Sequence, residues 1–183
     1  MTEPAIHTLL DAICADFLES MPELRDCKPH GGDFTADEVK RFSINAPSIR
    51  VACLAMSDPK KVSGGFVDYT LKLTAVISAK QTADLDRHAA ATAIVNRVLI
   101  DIADATWGLD IWVHPAKLPE ARSLYAGAID RQGLALWQVR WNQCVRLTVP
   151  DDPEPLDPAV YIGFAPDIGP DHIDDYERIG DAA

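Results

Sequence analysis

Two stretches of this 183-residue chain alternate between apolar and polar positions over unusual lengths. Val67, Tyr69, Leu71, Leu73, Ala75, Ile77 and Ala79 fall on one side, and Asp68, Thr70, Lys72, Thr74 and Ser78 on the other. A period of two predicts a strand with one face on a core and the other polar. The second run sets Ala135, Trp137, Val139, Trp141, Val145, Leu147 and Val149 against Gln138, Arg140, Asn142, Arg146 and Thr148. Strands are expected over about 66–79 and 134–149. At about 3.3 Å per residue the first would reach roughly 46 Å, well beyond the usual strand of about 5–6 residues. It either bends or carries its hairpin beyond the body.

Helical spacing appears twice. Ile6, Leu9, Leu10, Ile13, Cys14, Phe17 and Leu18 make a stripe over residues 4–19, ended by Met21-Pro22. Leu85, Ala89, Thr92, Val95, Val98, Leu99 and Ile102 make another, and a helix is expected over about 82–105, with Gly108 as the residue that ends it. Between them, Thr35-Ala36-Asp37-Glu38 has the capping-box pattern and predicts a short helix to about Phe42. Ser48–Met56 predicts a further strand, and the polar stretch 57–65, rich in Gly and Pro, a long hairpin loop. Smaller extended pieces are expected at Leu24–Lys28, Ile111–His114 and Pro119–Gly127. The sum is an α+β fold: a mostly antiparallel sheet with helices packed on one face.

Charge divides the chain. From Asp151 to Ala183 ten acids face one base, Arg178, so that segment carries −9 of the formal net charge of −11. Residues 1–149 carry only −2. The expected organisation is a 1–149 domain and a 150–183 acidic, Pro-rich C-terminal arm with apolar islands, among them Tyr161 and Phe164. An acidic chain is ill suited to nucleic-acid backbones, which need clustered Lys and Arg. The N-terminus has no signal-peptide pattern, and no stretch approaches the roughly 20 apolar residues of a membrane helix. A soluble protein of the cytoplasm is expected, with no membrane partner and no sequence-specific nucleic-acid binding.

Little points to chemistry. There is no GxSxG, HExxH, GxxxxGK[ST] or GxGxxG. Cys14, Cys27, Cys53 and Cys144 are widely spaced, which reads as reduced buried thiols rather than a zinc site. Cys144 with His114 or His30 is a conceivable nucleophile pair, but a strand interior offers nothing to lower a thiol pKa. Trp137 and Trp141 share a face and read first as sheet packing, second as interface anchors. No catalytic, cofactor or metal residue is expected.

Taken together, the segments 69–73, Ala90–Leu99, Trp107-Gly108-Leu109, Ser123–Asp130 and Gly133–Trp141 resemble the Mu-like phage family of tail terminator and tail completion proteins. The likeness covers about residues 1–149. It implies a structural protein of a virion or prophage-derived particle, not an enzyme. Such proteins form a homo-oligomeric ring, commonly of six subunits. The ring caps the tail tube, ends its growth, and offers a surface to the head-completion or neck protein. The implied location is the tail–neck junction of a virion assembled in the host cytoplasm. On this reading the residues expected at subunit or tube contacts are Lys60, Lys61, Asp68, Thr70, Lys72, Arg140, Tyr161 and Phe164. The rival reading is a small α+β enzyme or ligand-binding module, for which Cys144, His114 and Asp130 are the first residues to inspect.

Overall fold

The two alternating runs lie side by side in one sheet. The computed structural model describes residues 5–32, 34, 35, 38, 39, 41, 43–124, 133–148, 160–162 and 177–179. Strands β1 (Asp26–Pro29), β2 (Ser48–Val62), β3 (Phe66–Lys80), β4 (Lys117–Ser123) and β5 (Leu134–Thr148) are ordered β1-β2-β3-β5-β4. All pairs are antiparallel except β1 with β2. With helices α1 (Ala5–Ser20) and α2 (Arg87–Ile102), this is the expected α+β fold.

β3 and β5 pair without interruption from Phe66↔Thr148 to Lys80↔Leu134. Their apolar phases therefore coincide, and Leu71, Leu73, Ala75, Ile77, Val139, Trp141 and Val145 share one face. Leu9, Ile13 and Phe17 of α1 and Ala91, Ile94, Val95 and Val98 of α2 cover it. Full burial stabilises by about 1.5–3 kcal/mol for each large aliphatic or aromatic side chain.

The helix bounds differ from expectation at α2. Asp86 is its N-cap and accepts from the amides of His88 and Ala89 at 2.7 and 3.0 Å. The Thr82 hydroxyl holds Leu85 in a turn outside the helix, leaving Leu85 44% exposed. At the other end Ala103 N–H donates to Ile100 O and Asp104 takes φ 56, so the helix stops before Gly108. Leu18 of α1, counted in the stripe, is also exposed.

The expected 57–65 loop is mostly strand. Lys60 pairs with Asp68, Lys61 with Val67 and Val62 with Phe66, leaving only residues 63–65 as the turn. Two register shifts, at Cys53/Ala55 and Ser57/Lys60, absorb extra residues, with Asp58 at φ 55. These bulges break the period of two, which is why β2 looked finished at Met56. Gly64 and Gly65 supply the left-handed backbone of the turn at φ 87 and 75. Ile111–His114 is not a strand. Val113 makes a single bridge to Val145, flanked by His114 N–H to Cys144 O and Arg146 N–H to Trp112 O. The extended piece expected over Pro119–Gly127 begins earlier, at Lys117, and residues 125–127 of it lie outside the described residues.

The second face of the sheet is not uniformly open. Val76 and Leu136 pack with Val39, Phe34 and Leu124. Thr74 and Ser78, expected on a polar face, are fully buried. Their hydroxyls are paired: Gln138 Nε2 donates to Thr74 Oγ1 at 3.0 Å, and Ser78 meets Ser48 at 2.8 Å. Thr35 and Glu38, in the segment that covers this face, make the reciprocal capping pair the sequence predicts. The open part of the face is the other end, toward the β2–β3 turn.

The chain divides into two compact units, Met1–Val149 and Pro150–Ala183. In the second, β6 (Val160–Ile162) pairs antiparallel with β7 (Glu177–Ile179). Among the described residues no helix is long and apolar enough to cross a membrane.

Candidate functional site

Burial falls away along the sheet toward the turn. No residue from Cys53 to Thr70 is buried, and Leu54 and Met56 are 43% and 40% exposed. Near this end Ile111 is 92% and Leu118 77% exposed. Leu118 has φ 53 and sits where β4 shifts register against β5 between Lys117 and Glu120. A branched-chain residue in the left-handed region at a bulge is a strained position.

Beside Leu118 the open face is indented by a groove of about 350 Å³, lined by Leu54, Lys72, Leu118, Glu120, Arg140 and Asn142 among others. Arg140 Nε lies buried with no hydrogen-bond partner among the described residues. An orphaned buried donor costs about 1–3 kcal/mol.

Further along the same face, Asp68 accepts from Arg146 through both oxygens: Nε to Oδ1 at 2.8 Å and Nη2 to Oδ2 at 3.0 Å. Arg146 also sits 5.9 Å from the centroid of the Phe66 ring. The bond from Arg146 holds the Asp68 carboxyl below the usual carboxylate range. His114 Nε2 is 3.7 Å from Asp68 Oδ2. Cys144 completes a trio in which one ligand atom from each residue lies within 4.8 Å of the others. Burial and the Asp68 charge push the Cys144 thiol up, away from the thiolate a nucleophile needs.

Of the remaining thiols, Cys14 and Cys27 are buried in the core and Cys53 is partly buried. All four cysteines are free; Cys27 is pushed far up by its bond with Cys14 and by burial. A charged recess lies elsewhere, lined by Asp26, Lys28, His30, Glu38, Arg41, Asn45 and Arg50. Its centre is a pair, Arg50 Nη2 to Asp26 Oδ2, with both side chains 10% exposed.

The expected contact residues separate in space. Lys72 and Arg140 come together in the groove, and Thr70, opposite Cys144, continues the face toward Asp68. Lys60 pairs with Asp68 on that face, whereas Lys61 pairs with Val67 and takes the opposite face. Tyr161 lies on β6, and Phe164 and Asp130 lie outside the described residues. Among the described residues His114 and Cys144 meet, together with Asp68.

Gln143 is the residue that pattern reading passes over. It is fully buried among apolar side chains. Its Oε1 accepts from Trp107 Nε1 at 3.2 Å and Trp141 Nε1 at 3.1 Å. Its Nε2 donates to Ala105 O at 3.1 Å and to His114 O. The signal was present: Gln143 stands in the apolar phase of β5, between Trp141 and Val145. By holding the carbonyl of His114, Gln143 also fixes the backbone that presents the imidazole.

Among known proteins no family model matches the sequence, and no curated protein matches it significantly.

Proposed function

We propose that this chain is a structural protein of a phage tail or prophage-derived particle: a terminator that closes into a ring on the end of the tail tube, stops its growth and offers a surface for joining head and neck. The observation that carries this reading is the long β2–β3 arm, in which no residue from Cys53 to Thr70 is buried although Leu54, Met56, Val67 and Tyr69 lie within it. Apolar side chains gathered on an uncovered element mark a contact surface. Ring closure needs a heterologous contact, one surface of a subunit against a different surface of the next. Simple edge-to-edge strand pairing is a poor candidate for it. β1 has only four residues, and β4 carries Pro119 and a bulge. Such features blunt sheet edges. The arm and the groove at Lys72 and Arg140 are left as the two complementary surfaces.

The experiment is mass in solution by light scattering, with electron micrographs of the chain alone and with tube protein. A closed ring, free or seated on tube ends, is expected. The double reversal Lys60→Glu, Lys72→Glu is expected to weaken assembly and change its salt dependence. A chain that stays monomeric at all concentrations and leaves tube ends bare overturns the reading.

A further inference from the structure

Asp68 lies on the β2–β3 arm, but the Asp68–His114–Cys144 trio has a chemistry that the ring reading does not use. We propose that it is a divalent metal site, of the kind that takes Zn²⁺ with one imidazole, one thiolate and one carboxylate and leaves a fourth position to water. The donor set is the first argument. Nitrogen and sulfur ligands with a single carboxylate suit zinc over magnesium or calcium, which take oxygen.

Spacing is the second. Zn–N and Zn–O bonds of about 2.0–2.2 Å and a Zn–S bond of about 2.3 Å place tetrahedral ligand atoms roughly 3.3–3.6 Å apart. His114 Nε2 and Asp68 Oδ2 are already 3.7 Å apart, and every pair in the trio is within 4.8 Å. The ligand atoms need to draw together by at most about 1.5 Å, a distance that changes of side-chain torsion can cover.

Backbone support is the third. Asp68 and Cys144 project from adjacent paired strands, on the face where Thr70 stands opposite Cys144. His114 is fixed to the same point, because its N–H donates to Cys144 O at 2.9 Å and its carbonyl accepts from Gln143. Asp68 is oriented by both bonds from Arg146. A carboxylate has about four lone-pair sites, so Oδ2 keeps one for a metal. Hydrogen bonds of this sort to the ligands are what tune metal sites. Arg146 also works against the cation as a positive charge. Lys60 and Lys117 also bear on the site electrostatically. The thiolate formed when the Cys144 proton leaves, together with Asp68, supplies two negative charges against them. His114 is 42% exposed in its side chain, so the site is open to entry.

The test uses the full chain without a histidine tag. Zn²⁺ is titrated by calorimetry, and Co²⁺ serves as the spectroscopic probe. One ion per chain is expected, with a thiolate-to-cobalt charge-transfer band and the intense visible bands of tetrahedral Co²⁺. His114→Ala and Cys144→Ser should each lower affinity at least about tenfold, and Cys144→Ser should abolish the charge-transfer band. Cys53→Ser should leave both unchanged. Circular dichroism establishes that each variant is folded, and Asp68→Asn serves if one is not. The proposal is overturned by a wild-type chain that binds neither ion, or by binding that survives loss of His114 and Cys144. Because the readout is metal binding by single chains, it holds or fails independently of ring formation.

Discussion

Gln143 shows how much one polar side chain can organise inside an apolar core. Its amide satisfies two indole N–H groups and two backbone carbonyls, and so ties the segment after α2 to β5. Replacing it with Leu keeps the volume and takes the acceptor from both indole N–H groups and a donor from His114 O, while Ala105 O keeps its bond from Ala116 N–H at 3.1 Å. Each buried unpaired group costs about 1–3 kcal/mol, partly relieved by rearrangement. Gln143→Leu is therefore expected to lower the unfolding free energy by about 2–4 kcal/mol, measured by urea denaturation with an unchanged m value. Fluorescence should change as well, since Trp107 and Trp141 lose their common acceptor. A loss under about 0.5 kcal/mol, the range of ordinary surface substitutions, would show that Gln143 does not hold this structure. At this scale the site was half legible. A glutamine in the apolar phase of a strand is visible in the sequence. Its four partners are not, because they converge from segments that only the fold brings together.

At the scale of elements, β1 is the weakest attachment. It has four residues and a parallel pairing, so a side-chain contact carries much of its hold on β2. That contact is Asp26 with Arg50, supplemented by Lys28 at 3.3 Å. Burial pushes the Asp26 carboxyl up, and the bonds and charges of Arg50 and Lys28 more than reverse this, leaving it below its ordinary value. A carboxyl depressed on folding contributes stability that is present above the unfolded value of 3.8 and lost as pH falls through the lower, folded one. The amides of Arg25 and His30, which donate to Pro47 and Val51 on either side of β1, should lose exchange protection over that acid window before the centre of β3 does. In Asp26→Asn the pH dependence should vanish, and breaking the pair should cost about 3 kcal/mol. Equal protection of β1 and β3 down to acid pH would remove the ion pair from this role. The long strands and α1 were legible because an uninterrupted period identifies them. β2 beyond Met56 was not, since two bulges reset its phase. The start of α2 was misread because Leu85 fits the stripe by spacing, while Asp86 is the better cap.

For the whole molecule, charge is unevenly divided along the chain. The main cluster of buried side chains runs from Leu9 to Val145, all within the unit Met1–Val149. Residues 151–183 carry −9 of the net charge. The function proposed here had only the resemblance to suggest it in the sequence, and that rests on ordinary packing residues. Of the Asp68, His114 and Cys144 trio, the sequence suggested the pair Cys144 and His114 but not Asp68 beside them, because the three come from distant segments with no metal-ligand spacing. A chain ending at Val149 is expected to keep its fold, with a urea midpoint and Trp spectrum like those of the full chain. Its assembly should weaken or change, since the removed segment holds −9 of the net charge of −11, available to meet Lys60, Lys72 and Arg140 of a neighbouring copy. Such attraction between exposed groups weakens over a Debye length of about 10 Å at 0.1 M salt. The full chain should therefore lose assembly as salt rises, and the truncated chain should respond less. Light scattering across a salt series separates the outcomes. A truncated chain that assembles like the full one refutes a role for 150–183 in subunit contact, and a truncated chain that unfolds refutes the independence of the first unit.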